Sequence, residues 1–283
     1  MTILGSDHML EEEKFFNINT MLKHVFKSLD KQNESRKTDL VFIFGKNVPC
    51  QMKGGVSTLY IILIKMLCKV LENYDNAELL LSVDAPEDFL YTEMVTFKIS
   101  NISWTKEDLL LPLQKELSVD LKKLEAELEY SEESGGSLVL TLLLTSAELG
   151  GRRHYRMPSK TMLNKDILLI IGRDNLALSL TKMFKYFPMN LDLWLRRCKE
   201  GKHDLTQYDL VLIEDTLFDF QLYDLLEEAQ KKSDMSFVLL GDKDIYSEDD
   251  DTKLHRVFLE KPVTQESVYK LLISLFEDLP TLA

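Results

Sequence analysis

The chain has 283 residues, 45% of them hydrophobic and 29% charged, which is typical of a soluble globular protein with two domains of ordinary size. Its formal net charge of −13 argues against a nucleic-acid partner, because contacts to phosphate need clustered lysine and arginine side chains. The three cysteines lie far apart, which argues against a disulfide framework or a zinc site and predicts a cytoplasmic protein. No apolar run reaches the roughly 20 residues of a membrane-spanning helix.

The composition changes at a basic segment around Pro158, which is typical of a boundary between domains. We expect a first domain over residues 10–157, a linker over 158–163 and a second domain over 164–283. Residues 1–9 resemble a remnant of a cloning vector and are excluded from the fold prediction.

The first domain mixes helices and strands. In chain order, its hydrophobic pattern predicts a helix over residues 15–29, a strand and turn over 39–49, a helix over 58–73, a hairpin from 78–89 and 94–102, a charged helix over 106–130 and a last helix over 137–149. Gly150 and Gly151 are expected to end that last helix, because glycine readily adopts the backbone conformation that closes helices.

The second domain alternates strands and helices. Its strands are predicted over residues 167–171, 191–195, 208–213, 236–241 and 257–260, and its helices over 177–187, 220–232 and 265–277. Repeated strand and helix units predict a parallel sheet that is covered on both faces. Functional sites of such sheets form at the carboxyl ends of the strands, and Asp174, Glu214, Gly241 and Lys261 lie at or just after those ends.

Three segments of the second domain carry a family resemblance. They are YDLVLIEDTLF at residues 208–218, FLEKPV at 258–263 and DILLIIGRDN at 166–175. In order and spacing they resemble the signatures of the receiver domain of two-component systems, which implies a flavodoxin-like (βα)5 fold. The family's phosphate-accepting Asp is Glu214 here, and its acidic pair is Arg173 and Asp174. Its lysine is kept as Lys261, and its hydroxyl-bearing switch residue falls at Gly241.

The first domain resembles the ATP-binding domain of sensor histidine kinases, an α/β sandwich of the Bergerat type. The resemblance is carried by LEEEKFFNINTMLKHVF, by DLVFIFGKNVPCQMKGGVSTLYIILIKMLCKVLENY and by SGGSLVLTLLLTSAELGGR. It places Lys69 where the family has a Mg²⁺-binding Asn, with Asn73 four residues later, and Asn101 where the family has an adenine-binding Asp. Gly135 and Gly136 stand in the second glycine box, although an ordinary turn is the simpler explanation of these two residues.

The substitutions predict that neither domain performs the chemistry of its family. Mg²⁺ takes oxygen ligands, which Lys69 does not supply, so we expect ATP binding to be lost. Glu214 is one methylene longer than the family's acceptor and Arg173 replaces a carboxylate, so we expect no phosphoryl transfer. We expect Glu214 to pair with Arg173 or Lys261 instead, which would hold the domain in one state without phosphate. Asp215 is expected to point elsewhere, because side chains alternate along a strand.

These features imply a degenerate, hybrid histidine-kinase-like component of two-component phosphorelay signalling that is catalytically inactive and acts by binding other proteins. The expected partner is a kinase or a response regulator, and chains of this family also form homodimers through helices upstream of the ATP-binding domain. No cofactor or metal is expected. The alternative is an active hybrid histidine kinase fragment that binds ATP and Mg²⁺ and transfers phosphate to its receiver domain, and nucleotide binding distinguishes the two.

Overall fold

The computed structural model describes eleven parts of the chain. They are residues 14–33, 38–72, 78–87, 91–100, 102, 105–132, 136–147, 155, 160–195, 204–241 and 256–277. Within these ranges, no helix combines the length and the apolar character needed to cross a bilayer. The chain divides into two compact units between residues 154 and 155, with 41–43 assigned to the second unit.

The division falls slightly earlier than residue 157, the expected end of the first domain. Tyr155 belongs to the second unit, where its ring packs against those of Tyr186 and Tyr269 with centroid distances of 5.8 and 5.2 Å. Because only 9% of Tyr155 is exposed, this aromatic contact makes it part of the second unit's core rather than of a linker.

The first unit is built on a seven-stranded sheet. Its elements are, in chain order, β1 (Lys14–Asn17), α1 (Ile18–Asn33), β2 (Asp39–Phe44), β3 (Gln51–Gly54), α2 (Val56–Leu71), β4 (Glu78–Asp84), β5 (Thr92–Ser100), α3 (Lys106–Glu116), α4 (Ser118–Lys123), β6 (Glu127–Ser131) and β7 (Ser137–Ser146). The strand order is β1-β3-β7-β5-β4-β2, and β6 also pairs with β7. The predicted hairpin is present as β4 and β5, which run antiparallel with Leu81 opposite Ile99.

The core of the first unit follows from two sequence patterns. Along β5, Val95, Phe97 and Ile99 are completely buried, because alternate residues of a strand face the same side. The apolar helix expected near residue 58 is α2, which buries Leu59 and further residues along its length. Burial of such large apolar side chains is the main term that stabilises this unit.

The helix predicted over residues 137–149 is absent from its described part, residues 137–147, and the expected helix end at Gly150 and Gly151 lies outside the described residues. Ser137–Ser146 instead form β7, the strand with the most partners in the sheet. β7 pairs with β5 from Ser137 to Thr145 on one side, and with β6 and then β3 on the other. A short run of leucine, valine and threonine fits either a buried helix or a buried strand, so its pattern alone does not distinguish them.

The charged helix predicted over residues 106–130 is also divided. α3 and α4 occupy its first part, and the chain then reverses at Glu125, whose φ of +50° lies in the left-handed region. Backbone hydrogen bonds from Glu125 to Lys122 and from Ala126 to Leu121 close the end of α4. The reversal lets β6 pair with β7, a pairing that local helix propensity does not reveal.

The second unit is an α/β fold around a five-stranded sheet. Its elements are β8 (Asp166–Ile171), α5 (Asp174–Lys185), β9 (Asn190–Leu195), β10 (Leu210–Glu214), α6 (Phe220–Lys232), β11 (Ser236–Leu240), β12 (Arg256–Leu259) and α7 (Gln265–Phe276). The strands are all parallel in the order β9-β8-β10-β11-β12, which is the 2-1-3-4-5 order of flavodoxin-like sheets. Every strand and helix predicted for this unit is present, with small shifts at the ends.

The central strand of this sheet explains why the prediction succeeds here. All five residues of β10 are buried, as expected for a strand covered on both faces. The helices also carry recognisable start signals: Asp219 accepts a 3.0 Å hydrogen bond from the N–H of Leu222 at the start of α6, and Thr264 forms a capping box with Ser267 at the start of α7.

Candidate functional site

The carboxyl ends of β8, β10 and β12 lie at one edge of the parallel sheet. β10 pairs with β8 so that Ile213 lies opposite Ile170, and β11 lies between β10 and β12. Glu214 is the last residue of β10, whereas Arg173 follows β8 and Lys261 follows β12. Because parallel strands all end at the same edge, side chains far apart in sequence are brought together there.

Glu214 is completely buried, and both of its carboxylate oxygens have partners. Oε1 lies 3.2 Å from Nζ of Lys261 and 3.8 Å from Nε of Arg173. Oε2 accepts a 2.9 Å hydrogen bond from the backbone N–H of Gly172. A buried carboxylate is tolerated when cations and hydrogen-bond donors surround it, and this site supplies three such groups. The ion pair expected for Glu214 is therefore present, and it involves both cations.

Asp215 lies in the same cluster, so the expectation that it points elsewhere is wrong. β10 ends at Glu214 and a 3-10 turn begins at the next residue, so the alternation of the strand stops before Asp215. Oδ1 of Asp215 lies 3.7 Å from Nζ of Lys261 and accepts a 2.8 Å hydrogen bond from the N–H of Thr216. Lys261 is thus shared by two carboxylates.

Gly241, which follows β11, makes room for Asp215. A Cβ atom on Gly241 would lie 2.2 Å from Oδ2 and 2.5 Å from Cγ of Asp215. Both distances are far below the roughly 3.5 Å at which nonbonded atoms attract each other. A hydroxyl-bearing residue therefore does not fit at this position while Asp215 keeps its place.

Asp174 is the first residue of α5, and Arg173 is the residue immediately before that helix. A carboxylate in the first turn of a helix is stabilised by the backbone N–H groups that have no partner within the helix. Asp174, the acidic member of the Arg173–Asp174 pair, therefore stabilises the start of α5.

The cluster as it stands does not fit Mg²⁺. This ion needs oxygen ligands that are free to coordinate it, but the oxygens of Glu214 already bind two cations and a backbone N–H. Arg173 brings a positive charge to the place of a carboxylate. In the part of the chain that the structure describes, no group of three or more His, Cys, Asp or Glu side chains is arranged to hold a metal ion.

In the first unit, Lys69 lies in the last turn of α2 with its Nζ 2.5 Å from Oε2 of Glu72. A cation at this end of a helix is favourable, because the last carbonyl groups carry partial negative charge. One turn earlier, Nζ of Lys65 lies 3.3 Å from Oε1 of Glu116 and 3.9 Å from Oδ2 of Asp120. Lys65 is not among the predicted site residues, although its spacing of four from Lys69 puts both lysines on one face of α2.

Gly136 precedes β7 and has a φ of +86°, which glycine adopts at little cost. Its carbonyl accepts a 3.2 Å hydrogen bond from the N–H of Ile102, and a Cβ atom on Gly136 would lie 2.5 Å from the carbonyl oxygen of Ile102. Gly136 thus allows a close approach of two backbone segments, as an ordinary turn requires. The other predicted nucleotide-site residues, Asn73, Asn101 and Gly135, lie outside the described residues.

Known proteins resemble this chain in structure rather than in sequence. No protein-family model matches the sequence, and no curated protein matches it. The structure of full-length ShkA in complex with AMPPNP matches 95% of this chain with a TM-score of 0.67 at 10% sequence identity, and the match spans 58% of the ShkA chain. This match covers both units and shows that the fold is shared.

Two further matches are shorter. The nucleotide-free catalytic domain of the histidine kinase ThkA covers 46% of this chain and 95% of its own, with 16% identity and a TM-score of 0.37. The histidine kinase AdeS of Acinetobacter baumannii covers 49% of this chain and 69% of its own, with 10% identity and a TM-score of 0.38. TM-scores this low do not by themselves show a shared fold.

The expected fold class is confirmed by the sheet topologies and by the match to ShkA. The chain thus has an N-terminal α/β sandwich followed by a flavodoxin-like unit, a fold that it shares with full-length ShkA.

Proposed function

We propose that this chain is a catalytically inactive regulatory component of two-component signal transduction that acts by binding other proteins. The observation that carries the proposal is the ion-pair cluster around Glu214. Both oxygens of this buried carboxylate have partners within the fold, so a phosphoryl donor would have to displace them. Phosphoryl transfer to a carboxylate needs the opposite arrangement, an accessible nucleophile beside anionic groups that hold Mg²⁺.

The same cluster supports a receiver-like unit that keeps one state without phosphate. A glutamate extends its negative charge about one methylene further than an aspartate, and here Oε1 of Glu214 lies 3.2 Å from Nζ of Lys261. Phosphorylation of an aspartate would add negative charge in the same direction. Asp215 adds a second carboxylate to Lys261 at 3.7 Å. The unit thus holds two carboxylates beside Lys261, where a phosphorylated receiver would hold the charge of its phosphoryl group.

For the first unit we propose that ATP binding is lost, which makes it a pseudokinase domain. Lys69 pairs with Glu72, and Lys65 contacts Glu116 and Asp120. A nucleotide phosphate would compete with these carboxylates for both lysines. The proposed partner is a kinase or a response regulator of the same pathway, and the proposal includes a cytoplasmic location and a homodimer.

Acetyl phosphate tests the receiver-like unit directly. The full chain is incubated with acetyl phosphate and Mg²⁺, and mass spectrometry is used to look for an acid-labile phosphoryl group on residues 208–218. We expect none on the natural chain. A phosphoryl group on Glu214 or Asp215 would contradict the proposal and favour the alternative, an active hybrid kinase fragment.

A calorimetric titration with ATP and Mg²⁺ tests the first unit. We expect a dissociation constant weaker than about 100 μM, which corresponds to a binding free energy of about −5.5 kcal/mol. Tighter binding would contradict the pseudokinase proposal, and binding together with phosphate on residues 208–218 would support the active fragment. The variant Lys69→Asn, which restores the family's ligand type, shows whether this substitution by itself abolishes binding.

A further inference from the structure

An open apolar groove lies between α1 and α2 of the first unit and has a cavity volume of about 560 Å³. Its lining includes Phe16, Met21, His24, Val56, Tyr60 and Ile61. The two helices pack against each other and have 16 residues each, so both are long enough to flank a third helix over several turns. An apolar groove of this kind is one of the recurring ways in which proteins receive the apolar face of a partner helix.

The apolar character of α2 exceeds what the first unit buries. The face that carries Leu59, Ile62 and Leu63 is completely buried, but Ile61 is 42% exposed in the groove. Helices that are apolar on most sides are normally covered on most sides. The described residues of the first unit therefore leave part of the apolar surface of α2 exposed at Ile61.

Among the residues that the structure describes, the charged side chains along the groove are all cationic. Lys23 and Lys27 of α1 are exposed, and they lie three residues after Thr20 and His24, which line the groove. Residues three apart are neighbours on a helix surface, so both lysines border the groove. α1 contains no acidic residue before Asp30, and α2 contains none at all. In a chain with a net charge of −13, such a surface is selective for an acidic partner.

The start of α2 adds positive potential at one end of the groove. Gly55 precedes α2 and offers no side chain to cap it, and the first-turn residues Val56 and Ser57 line the groove. The backbone N–H groups of a first turn have no partners within the helix, and they attract negative charge. This end of the groove and the lysines of α1 therefore favour the same kind of ligand.

We infer that the groove between α1 and α2 docks an amphipathic, acidic helix of a protein partner. The apolar face of that helix covers Ile61, Tyr60 and Met21, and its Asp or Glu side chains lie along Lys23 and Lys27. The inference rests on the proposed function in one respect: it assumes that the chain acts by binding another protein. It does not depend on whether either unit retains phosphoryl or nucleotide chemistry.

A designed peptide tests this inference on the full chain. The probe is a synthetic helix of about 16 residues, roughly 24 Å long, with leucines on one face and glutamates flanking them. Its counterpart carries lysine in place of every glutamate. We expect the glutamate peptide to shift the amide NMR signals of α1 and α2, and to bind at least tenfold more tightly than the lysine peptide.

Charge-reversed variants locate the binding site. Lys23→Glu together with Lys27→Glu is expected to weaken the glutamate peptide about tenfold and to strengthen the lysine peptide. The matched control, Lys115→Glu with Lys122→Glu, changes the net charge equally on α3 and α4, and is expected to leave both affinities nearly unchanged. Equal effects of the two double variants would overturn the inference, because binding would then follow net charge alone.

A second pair of variants tests the apolar contact. Ile61→Ser is expected to weaken the glutamate peptide severalfold, whereas Leu111→Ser, which changes an exposed leucine of α3, is expected to have no effect. Equal binding of both peptides, signal shifts away from α1 and α2, or no binding at about 1 mM peptide would each overturn the inference. None of these outcomes alters the acetyl phosphate or ATP experiments, so failure of the groove and failure of the proposed function are distinguishable.

Discussion

Nζ of Lys261 lies 3.2 Å from Oε1 of Glu214, so a residue that follows β12 is bound to the last residue of β10 although β11 lies between the two strands. Gly241, which follows β11, has no side chain to occupy the intervening space. The ion pair therefore links the loops at the ends of strands that do not pair with each other, and it makes the stability of this edge depend on one buried carboxylate.

Replacing Glu214 by alanine is expected to lower the free energy of unfolding by about 2 to 3 kcal/mol, because two cations would remain around an empty carboxylate position. The loss should be smaller than for a fully enclosed ion pair, since 22% of the Lys261 side chain remains exposed. Glu214→Gln keeps an acceptor for the N–H of Gly172 and should cost less. Urea unfolding followed by circular dichroism measures both changes.

The control for Glu214 is Glu228→Gln, which breaks the exposed ion pair of Glu228 with Lys232 on α6. Exposed pairs of this kind contribute little to stability, so its unfolding curve should match that of the natural chain. If Glu214→Ala were as stable as Glu228→Gln, the buried cluster would not have the role described.

Replacing Gly241 by serine is expected to destabilise the second unit by about 1 to 3 kcal/mol, since its Cβ atom would meet the Asp215 carboxylate at 2.2 Å. Asp215→Ala removes the two nearest atoms but leaves the Cβ atom of residue 215 at 2.7 Å, so the double variant should lose less than the sum of the two single variants. A double-mutant cycle of melting temperatures measures this coupling. Strictly additive effects would show that Gly241 and Asp215 are energetically independent.

Restoring the family's carboxylates, by Arg173→Asp with Glu214→Asp, is expected to create Mg²⁺ binding and to lower the melting temperature in the absence of metal. Three carboxylates, those of Asp174 and of the two new aspartates, would then repel each other until a divalent cation offsets their charge. Melting curves with and without Mg²⁺ measure the effect. An unchanged melting temperature with no response to metal would contradict the role assigned to Arg173.

Tyr208 provides a test that depends on pH. Burial raises the pKa of this tyrosine, and its 2.8 Å hydrogen bond to Oδ2 of Asp192 raises it further. A raised pKa in the folded state means that the stabilisation is fully present below the pKa of the unfolded chain, about 10, and is lost as the pH rises through the folded value. Tyr208→Phe should therefore cost about 1 kcal/mol at pH 7.

Above pH 10 the difference between Tyr208→Phe and the natural chain should shrink, because only the natural chain has a phenol to ionise at this position. Unfolding curves at pH 7 and at pH 10.5 measure the change. A cost for Tyr208→Phe that stays constant over this interval would show that the hydrogen bond to Asp192 does not control the ionisation.

The sequence by itself was sufficient to predict the strands, the helices and the parallel sheet of the second unit. Continuous apolar runs such as residues 210–213 predict strands covered on both faces, and the intervening amphipathic helices predict parallel pairing. Because such a sheet brings its carboxyl ends to one edge, the convergence of Arg173, Glu214 and Lys261 also followed from sequence. Each of these inferences uses local periodicity and a general rule of topology.

Only the tertiary structure decided what depends on distant partners. Ser137–Ser146 is a strand because β5 pairs with it on one side and β6 and β3 on the other, and no local pattern in its leucine-rich segment reveals these partners. Asp215 joins the cluster because the strand ends one residue earlier and because Gly241 leaves space for its carboxylate. In both places the decisive free energy comes from backbone pairing and close packing between different segments of the chain. Local periodicity does not reveal such interactions.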